Sequence, residues 1–158
     1  MKQGQLTGNA AEAQAREMVV RFVEGESYEV SVRGHRVLVD QPPDAGGGDA
    51  APTPTELFVA SLAACVAFYA GRYLTRHGYG REGLAVRAGF DMASDRPARV
   101  SSISLTIQAP AGLPAGRRPA LLAVASHCTV HNTLSLPPPV AIKLCEQAPE
   151  QDVRQGAR

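Results

Sequence analysis

The chain has 158 residues, with 16 basic and 15 acidic side chains and a net charge of +1. This length fits one domain with a sizeable core, and the even balance of charge argues against nucleic acid or an anionic membrane as a partner. The first residues lack the basic-then-apolar order of a secretory signal. We therefore expect a cytoplasmic protein whose three cysteines are reactive or buried thiols rather than structural disulfides.

The first part of the domain is predicted to be an antiparallel meander. Its three β-prone runs are 18–23, 28–32 and 36–39, and tight turns at Glu24-Gly25 and Arg33-Gly34 separate them. Residues 41–52 are rich in proline, glycine and alanine and are predicted to form a loop. The polar ends, 1–15 and 148–158, are predicted to be tails that flank a single domain over 16–147.

Thr53-Pro54-Thr55-Glu56 predicts a helix start, with Thr53 as the N-cap, Pro54 at the first helical position and Glu56 completing a capping box. The helix should run to about His77, before Gly78. It is apolar almost all round, which indicates burial against several neighbours. Its longest uncharged stretch, 57–70, is shorter than the 18 or so residues that a membrane span needs, so we expect a central core helix.

The remaining elements alternate again between strands and helices. Residues 84–92 and 100–109 are predicted to be strands of a second meander, Pro119 opens a helical stretch over 120–126, and 127–134 continues as a turn or short helix. Pro137-Pro138-Pro139 ends that helix, and 140–145 could be a last strand. The order βββ, α, ββ, α, β predicts an α+β fold with helices packed on segregated antiparallel sheets.

Two cysteines carry the chemistry. Cys65 lies in the long apolar helix and Cys128 follows the second helical stretch, so only the fold could pair them. A lone Cys65 would be a small hydrophobe in a tight helix packing. The spacing Cys128-x-x-His131, with His127 beside it, allows zinc as an alternative, but the usual second close pair of ligands is missing from the sequence. Cys145 receives no role.

The segments T-P-T-E-L-F-V-A-S-L-A-A-C and S-H-C-T-V-H-N-T-L occur in this order and contain both cysteines. Over about residues 18–145 the chain resembles the OsmC/Ohr family. The resemblance implies an OsmC-like fold, an intertwined homodimer, and reduction of organic and hydrogen peroxides without a bound cofactor or metal. It further implies that Cys65 is the peroxidatic thiol, that Cys128 resolves its sulfenate, and that an external dithiol of the lipoyl type restores the pair.

The sequence departs from the family pattern in the groups that activate the thiol. The hydroperoxide-resistance branch carries a glutamate ten residues before its peroxidatic cysteine, where this chain has Thr55, and Glu56 stands one position later. Nine residues of helix place Glu56 about 13.5 Å along the axis from Cys65 and on the opposite face, so any catalytic role must be exerted across a dimer interface. Its structural alternative is the capping box.

The family's activating arginine belongs to the N-terminal hairpin, where the turn here reads Glu24-Gly25-Glu26. Arg21, Arg33 and Arg36 are nearby but off the motif. We expect a thiol peroxidase whose apolar helix around Cys65 lines the substrate pocket and favours hydrophobic hydroperoxides. The alternative is a non-enzymatic member of the same fold that binds a small apolar ligand or senses redox stress.

Overall fold

The first three strands form an antiparallel sheet, as the sequence predicts. In this computed structural model, which describes residues 17–145, β1 (Met18–Glu24), β2 (Ser27–Val32) and β3 (His35–Val39) are arranged in the order β1-β2-β3. Arg33 and Gly34 both have positive φ, 48° and 82°, which is the conformation of a two-residue hairpin turn that matches the strand twist. The two predicted tails, 1–15 and 148–158, lie outside the described residues.

The loop after β3 is organised by Asp40, whose side chain is 2% exposed. Its Oδ2 accepts hydrogen bonds from the amides of Gly48 (3.1 Å) and Ala50 (3.0 Å). The Ala50 amide is the main cause of a lowered pKa of Asp40, with the Gln41 amide next, because these donors stabilise the carboxylate. Gly47 must be glycine, since a Cβ there would overlap the carbonyl of Gln41. This ordered loop connects β3 to the start of the long helix.

Helix α1 (Pro54–Arg76) begins with the predicted capping box. Glu56 Oε2 accepts a hydrogen bond from the Thr53 amide (2.8 Å), and Thr53 Oγ1 accepts one from the Glu56 amide (3.1 Å). The helix ends at Arg76, with His77 as its C-cap and Gly78 in the left-handed region at φ 77°. The predicted boundaries of this helix are therefore confirmed to within one residue.

The second half of the domain packs on α1. Strands β4 (Ala85–Met92) and β5 (Val100–Gln108) form an antiparallel hairpin, and helices α2 (Arg118–Ala125) and α3 (Thr129–Ser135) follow it. All four contact α1. The buried core that results contains Leu62, Val66, Ala70, Tyr73, Leu74, Leu113, Leu121, Ala125 and Cys128. The α+β class is confirmed, with a two-stranded hairpin in place of the expected second meander.

By length and composition, α1 is also able to cross a membrane. In the structure, however, it lies at the centre of the domain, and 39% of its most apolar 18-residue segment is buried. Packing against β4, β5, α2 and α3 accounts for this burial. We therefore interpret α1 as the core helix that the sequence predicts.

One expectation was wrong, and two apolar surfaces stay uncovered in a single chain. Residues 140–145 form no strand, and Ile142 and Leu144 are 93% and 100% exposed. Strands β1, β2 and β3 contact one another, and this N-terminal sheet contacts the helices far less than strands β4 and β5 do. Helix α1 packs against several neighbours, as expected, while Phe58, Ala60, Ala64 and Phe68 remain exposed. Apolar patterns identify the surfaces that prefer burial, but they do not say which chain covers them.

Candidate active site

Cys65 lies in the middle of α1, on the side that faces the core. It is partly buried and packs against the core cluster that contains Leu62, Val66 and Cys128. Its neighbours along the helix, Ala63, Ala64 and Ala67, are small. Cys65 is intermediate in burial, so its thiol is shielded without being sealed from solvent.

Cys128 is fully buried, with 0% exposure, and is the N-cap residue of α3. Its carbonyl accepts the first hydrogen bond of that helix, from the Asn132 amide at 2.9 Å. Burial is the main cause of a raised pKa of the Cys128 thiol, and the nearby Cys65 raises it further. The amides of His131 and Val130 favour the thiolate and act in the opposite direction, although neither makes a hydrogen bond with cap geometry. At neutral pH Cys128 is therefore a protonated thiol.

The fold thus brings Cys65 and Cys128 together from positions 63 residues apart in the sequence, both as free thiols. Their proximity is evident from the packing of Cys65 against the core cluster that contains Cys128, and Cys65 also contributes to the raised pKa of Cys128. One thiol is partly accessible and the other is enclosed. This arrangement permits stepwise chemistry in which an external molecule meets Cys65 first.

A second link between α1 and α3 lies beside the two thiols. The Tyr69 hydroxyl and Thr129 Oγ1 are hydrogen-bonded at 2.9 Å. Tyr69 is one helical turn after Cys65, and Thr129 directly follows Cys128. Neither residue was predicted from the sequence, although their spacing from the cysteines was a usable signal. This hydrogen bond fixes how α3, and with it Cys128, sits against α1.

The histidines near Cys128 have defined tautomers. Nδ1 of His127 bonds to the Ala123 carbonyl at 2.8 Å, and Nδ1 of His131 bonds to the Ser126 carbonyl. A carbonyl only accepts, so both Nδ1 atoms carry a proton and donate it. Within residues 17–145, no group of three or more His, Cys, Asp or Glu side chains is placed to hold a metal ion. The zinc alternative therefore has no donor set in this part of the chain.

The other predicted site residues are not brought to Cys65 within one chain. Glu56 is exposed at the start of α1, where it forms the capping box. Arg21, Arg33 and Arg36 lie on or beside the N-terminal strands, and Arg36 pairs with Glu29 at 3.6 Å. Since that sheet does not pack on α1 to any comparable extent, none of these three arginines is brought to Cys65 within one chain. Cys145 is exposed, outside any strand or helix.

A cleft of about 510 Å³ opens between α1, β5, α2 and α3. Its walls are mainly apolar and include Leu62 and Val66 of α1 and His131 and Leu134 of α3. Helix α1 thus lines an apolar cleft through residues within one turn of Cys65. Neither thiol, however, is part of its wall.

Comparison with known proteins agrees with this description. Residues 46–143 match the family model described as OsmC-like protein, while no curated protein matches the chain. Among solved structures, the chain is similar to a Psychrobacter arcticus protein described as an osmotic stress induced and detoxification response protein (TM-score 0.68, 23% identity, 73% of this chain and 85% of that one).

Two further solved structures are similar in fold. One is an organic hydroperoxide resistance protein from Legionella pneumophila (TM-score 0.57, 20% identity, 75% of this chain and 88% of that one). The other is described as an organic hydroperoxide resistance protein from Vibrio cholerae with captopril in one of its active sites (TM-score 0.53, 17% identity, 75% of this chain and 83% of that one). The family model covers well over half of the chain, including both cysteines. The chain belongs to the OsmC-like protein family.

Proposed function

We propose that the chain is a thiol-dependent peroxidase that reduces organic hydroperoxides through Cys65 and Cys128. The observation that carries the proposal is the packing of a partly accessible thiol, Cys65, against a fully buried one, Cys128. Membership of a family in which solved relatives are described as organic hydroperoxide resistance proteins supports the substrate class. We expect hydrogen peroxide to be a poorer substrate, since the cleft beside the pair is apolar.

The reaction has three balanced steps. The Cys65 thiolate attacks the distal peroxide oxygen, the O–O bond breaks, and the alkoxide takes a proton to leave as an alcohol. The resulting sulfenic acid condenses with the Cys128 thiol, which forms the disulfide and releases water. An external dithiol, expected to be of the lipoyl type, then reduces the disulfide by thiol–disulfide exchange and is itself oxidised. No bound cofactor is needed for these steps.

The test is stopped-flow oxidation of the reduced protein by cumene hydroperoxide and by hydrogen peroxide. We expect fast oxidation that Cys65→Ser abolishes and a Cys65–Cys128 disulfide visible by mass spectrometry. Cys128→Ser should keep the first oxidation but accumulate sulfenic and sulfinic acid, whereas the matched control Cys145→Ser should behave as wild type. Rates no faster than those of a free thiol would refute the proposal.

Glu56 remains a candidate for catalysis only across a dimer interface. Glu56→Gln separates its two roles, because glutamine also completes a capping box while the charge is lost. If Glu56 contributes to catalysis, this variant loses peroxidase rate at unchanged stability. If its role is limited to the cap, both quantities stay at the wild-type value, and Glu56→Ala lowers stability alone.

We further propose that the functional unit is an intertwined homodimer. One chain leaves three apolar surfaces uncovered, namely the N-terminal sheet, part of α1 and the segment 140–145. Exposed side chains on them include Met18, Phe22, Phe68, Ile142 and Leu144, at 66%, 64%, 57%, 93% and 100%. Exposure on this scale is unusual for a monomer. A second copy could cover all three surfaces and bring an arginine of the N-terminal hairpin to Cys65.

Sedimentation equilibrium tests the dimer. We expect twice the chain mass, and a shift toward the monomer for Phe22→Asp, whose ring is exposed in one chain. A monomeric wild-type protein at micromolar concentration would contradict the proposal. We also propose that the protein is cytoplasmic, where thiols stay reduced, and that it has no nucleic acid or membrane partner.

The alternative is a ligand-binding or redox-sensing protein without peroxidase turnover. It is favoured by the observation that the apolar cleft is not lined by either thiol. This alternative predicts that an apolar fluorescent probe binds the cleft with equal affinity in wild type and Cys65→Ser, while hydroperoxide consumption stays at the level of a free thiol. Fast Cys65-dependent consumption would exclude it.

A further inference from the structure

A second, chemically different cleft lies between α1 and α2. It has a volume of about 260 Å³, and its walls are Tyr69, Arg72, Tyr73, Arg76, His77 and Val124. The apolar cleft shares none of these residues. Two arginines and three aromatic rings in a recess of this size form a suitable environment for a small anionic group.

The two arginines of this cleft have no counterion in the part of the chain that the structure describes. There the ion pairs are Arg36 with Glu29 and Arg99 with Asp95, and no carboxylate lines the cleft. Arg72 and Arg76 are four residues apart on one helix, and like charges at this spacing repel each other. An anion bound between them would remove that repulsion.

The aromatic walls of the cleft are fixed by hydrogen bonds. The buried Tyr73 hydroxyl donates to the Arg117 carbonyl at 3.5 Å, and the Tyr69 hydroxyl is bonded to Thr129. Nδ1 of His77 donates to the Tyr73 carbonyl at 2.8 Å, and the two rings pack with centroids 4.2 Å apart. Arg72 is held over the Phe68 ring, 5.6 Å from its centroid. The recess is therefore preformed.

The α1–α2 cleft lies on the same side of α1 as the cysteine pair. At 100° per residue, Tyr69, Arg72 and Arg76 all lie within about 40° of Cys65 around the axis of α1, and Arg72 is about 10.5 Å further along it. The cleft and the cysteine pair therefore follow one another along the same side of the helix. Tyr69 stands between them.

We propose that the α1–α2 cleft binds the carboxylate of a small reactant whose other end reaches the cysteine pair. This inference rests on the proposed peroxidase function. The carboxylate could belong to the organic hydroperoxide or to the dithiol that reduces the disulfide, and both present the same chemistry to Arg72 and Arg76. The two sources are distinguished by kinetics, and binding is measured separately from turnover.

Binding is tested first, in the Cys65→Ser protein, where no peroxide chemistry can occur. Hexanoate is titrated by NMR against a neutral control, hexan-1-ol. We expect hexanoate to shift the amide signals of residues 72–78 and Arg72→Gln/Arg76→Gln to weaken its binding about tenfold. Arg87→Gln is the matched control, since Arg87 is an exposed arginine on β4 and lines neither cleft. Equal binding by the double variant and the control would overturn the proposal.

The kinetic arms then use two matched pairs of reactants. Cumene hydroperoxide is compared with its para-carboxylate derivative, and dihydrolipoamide with dihydrolipoate. We expect an advantage of about tenfold in kcat/KM for the carboxylate member of one pair, lost in Arg72→Gln/Arg76→Gln and kept in Arg87→Gln. Carboxylate binding that leaves both pairs unchanged would overturn the role of the cleft. If no hydroperoxide is consumed at all, the peroxidase proposal fails independently, whatever hexanoate does.

Discussion

The hydrogen bond between Tyr69 and Thr129 should determine how readily the two cysteines form a disulfide. Thr129→Val and Tyr69→Phe each remove one hydroxyl of the 2.9 Å contact that holds α3 against α1. A neutral hydrogen bond contributes about 0.5–1.5 kcal/mol net, and an exposed pair of hydroxyls belongs in the lower half of this range. Since 1.4 kcal/mol corresponds to a factor of ten, the equilibrium constant for the Cys65–Cys128 disulfide should fall about two- to fivefold in either variant.

The assay is equilibration of each protein in glutathione redox buffers, followed by acid quenching and mass spectrometry. Thr133→Val is the matched control on the same helix, because the Thr133 hydroxyl donates within α3, to the Thr129 carbonyl at 2.9 Å. The double variant Tyr69→Phe/Thr129→Val should be no worse than either single variant, since both remove one interaction. Disulfide equilibria for Thr129→Val and Tyr69→Phe that equal the control's would refute the positioning role.

Three further predictions concern the scaffold. Thr53→Ala removes the N-cap of α1 and should cost about 1 kcal/mol in urea unfolding, and the reasoning fails if the midpoint is unchanged. Leu74→Ala empties a fully buried position and should lower the free energy of unfolding by about 2–5 kcal/mol, which a smaller loss in guanidinium unfolding would contradict. The pKa of Asp40 is lowered from an ordinary value of 3.8, so its contribution is present above that pH and lost as pH falls below it. Asp40→Asn should therefore lower the thermal midpoint at pH 7 and reduce its acid dependence, and an unchanged pH profile would argue against this role.

Local sequence signals predicted the elements well because each has a local cause. The capping box of α1 needs only Thr53, Glu56 and the backbone between them, and it forms as expected. The turn at Arg33-Gly34 depends on a glycine that tolerates positive φ. For the segment 140–145, in contrast, the local sequence signals gave a wrong prediction. Its apolar residues satisfy the composition of a strand, but a strand also needs a partner strand, and within the described residues none pairs with this segment.

The cysteines of the site were predictable from motifs, but their environment was not. Sequence order places Cys65 and Cys128 far apart, and only the packing of α1 on α3 makes one raise the pKa of the other. The cleft containing Arg72 and Arg76 was also missed, because arginines in the last turns of a helix look like ordinary solvated residues favoured by the helix dipole. What distinguishes them is the recess formed with α2, which depends on tertiary structure.

The raised pKa of Cys128 explains why this thiol is unreactive at first and reacts only after Cys65 has been oxidised. Burial is the main cause of the increase, and the neighbouring Cys65 adds to it, in part through its charge when ionised. Once Cys65 has become a neutral sulfenic acid, the repulsion from its thiolate disappears. Cys128 therefore ionises more readily at the step in which it must attack.

The same reasoning predicts that Cys65→Ser lowers the pKa of Cys128 from its wild-type value, measured residue by residue from the ¹³Cβ shift in a Cys145→Ser background. Because the folded pKa is raised, the contribution of Cys128 to stability is fully present below the unfolded value of about 8.5 and is lost as pH rises through the folded one. In Cys65→Ser the alkaline loss of stability should consequently begin at the same unfolded value but be smaller. A Cys128 pKa that stays equal or rises in this variant would show that Cys65 does not restrain it, and the sequence of steps would need another cause.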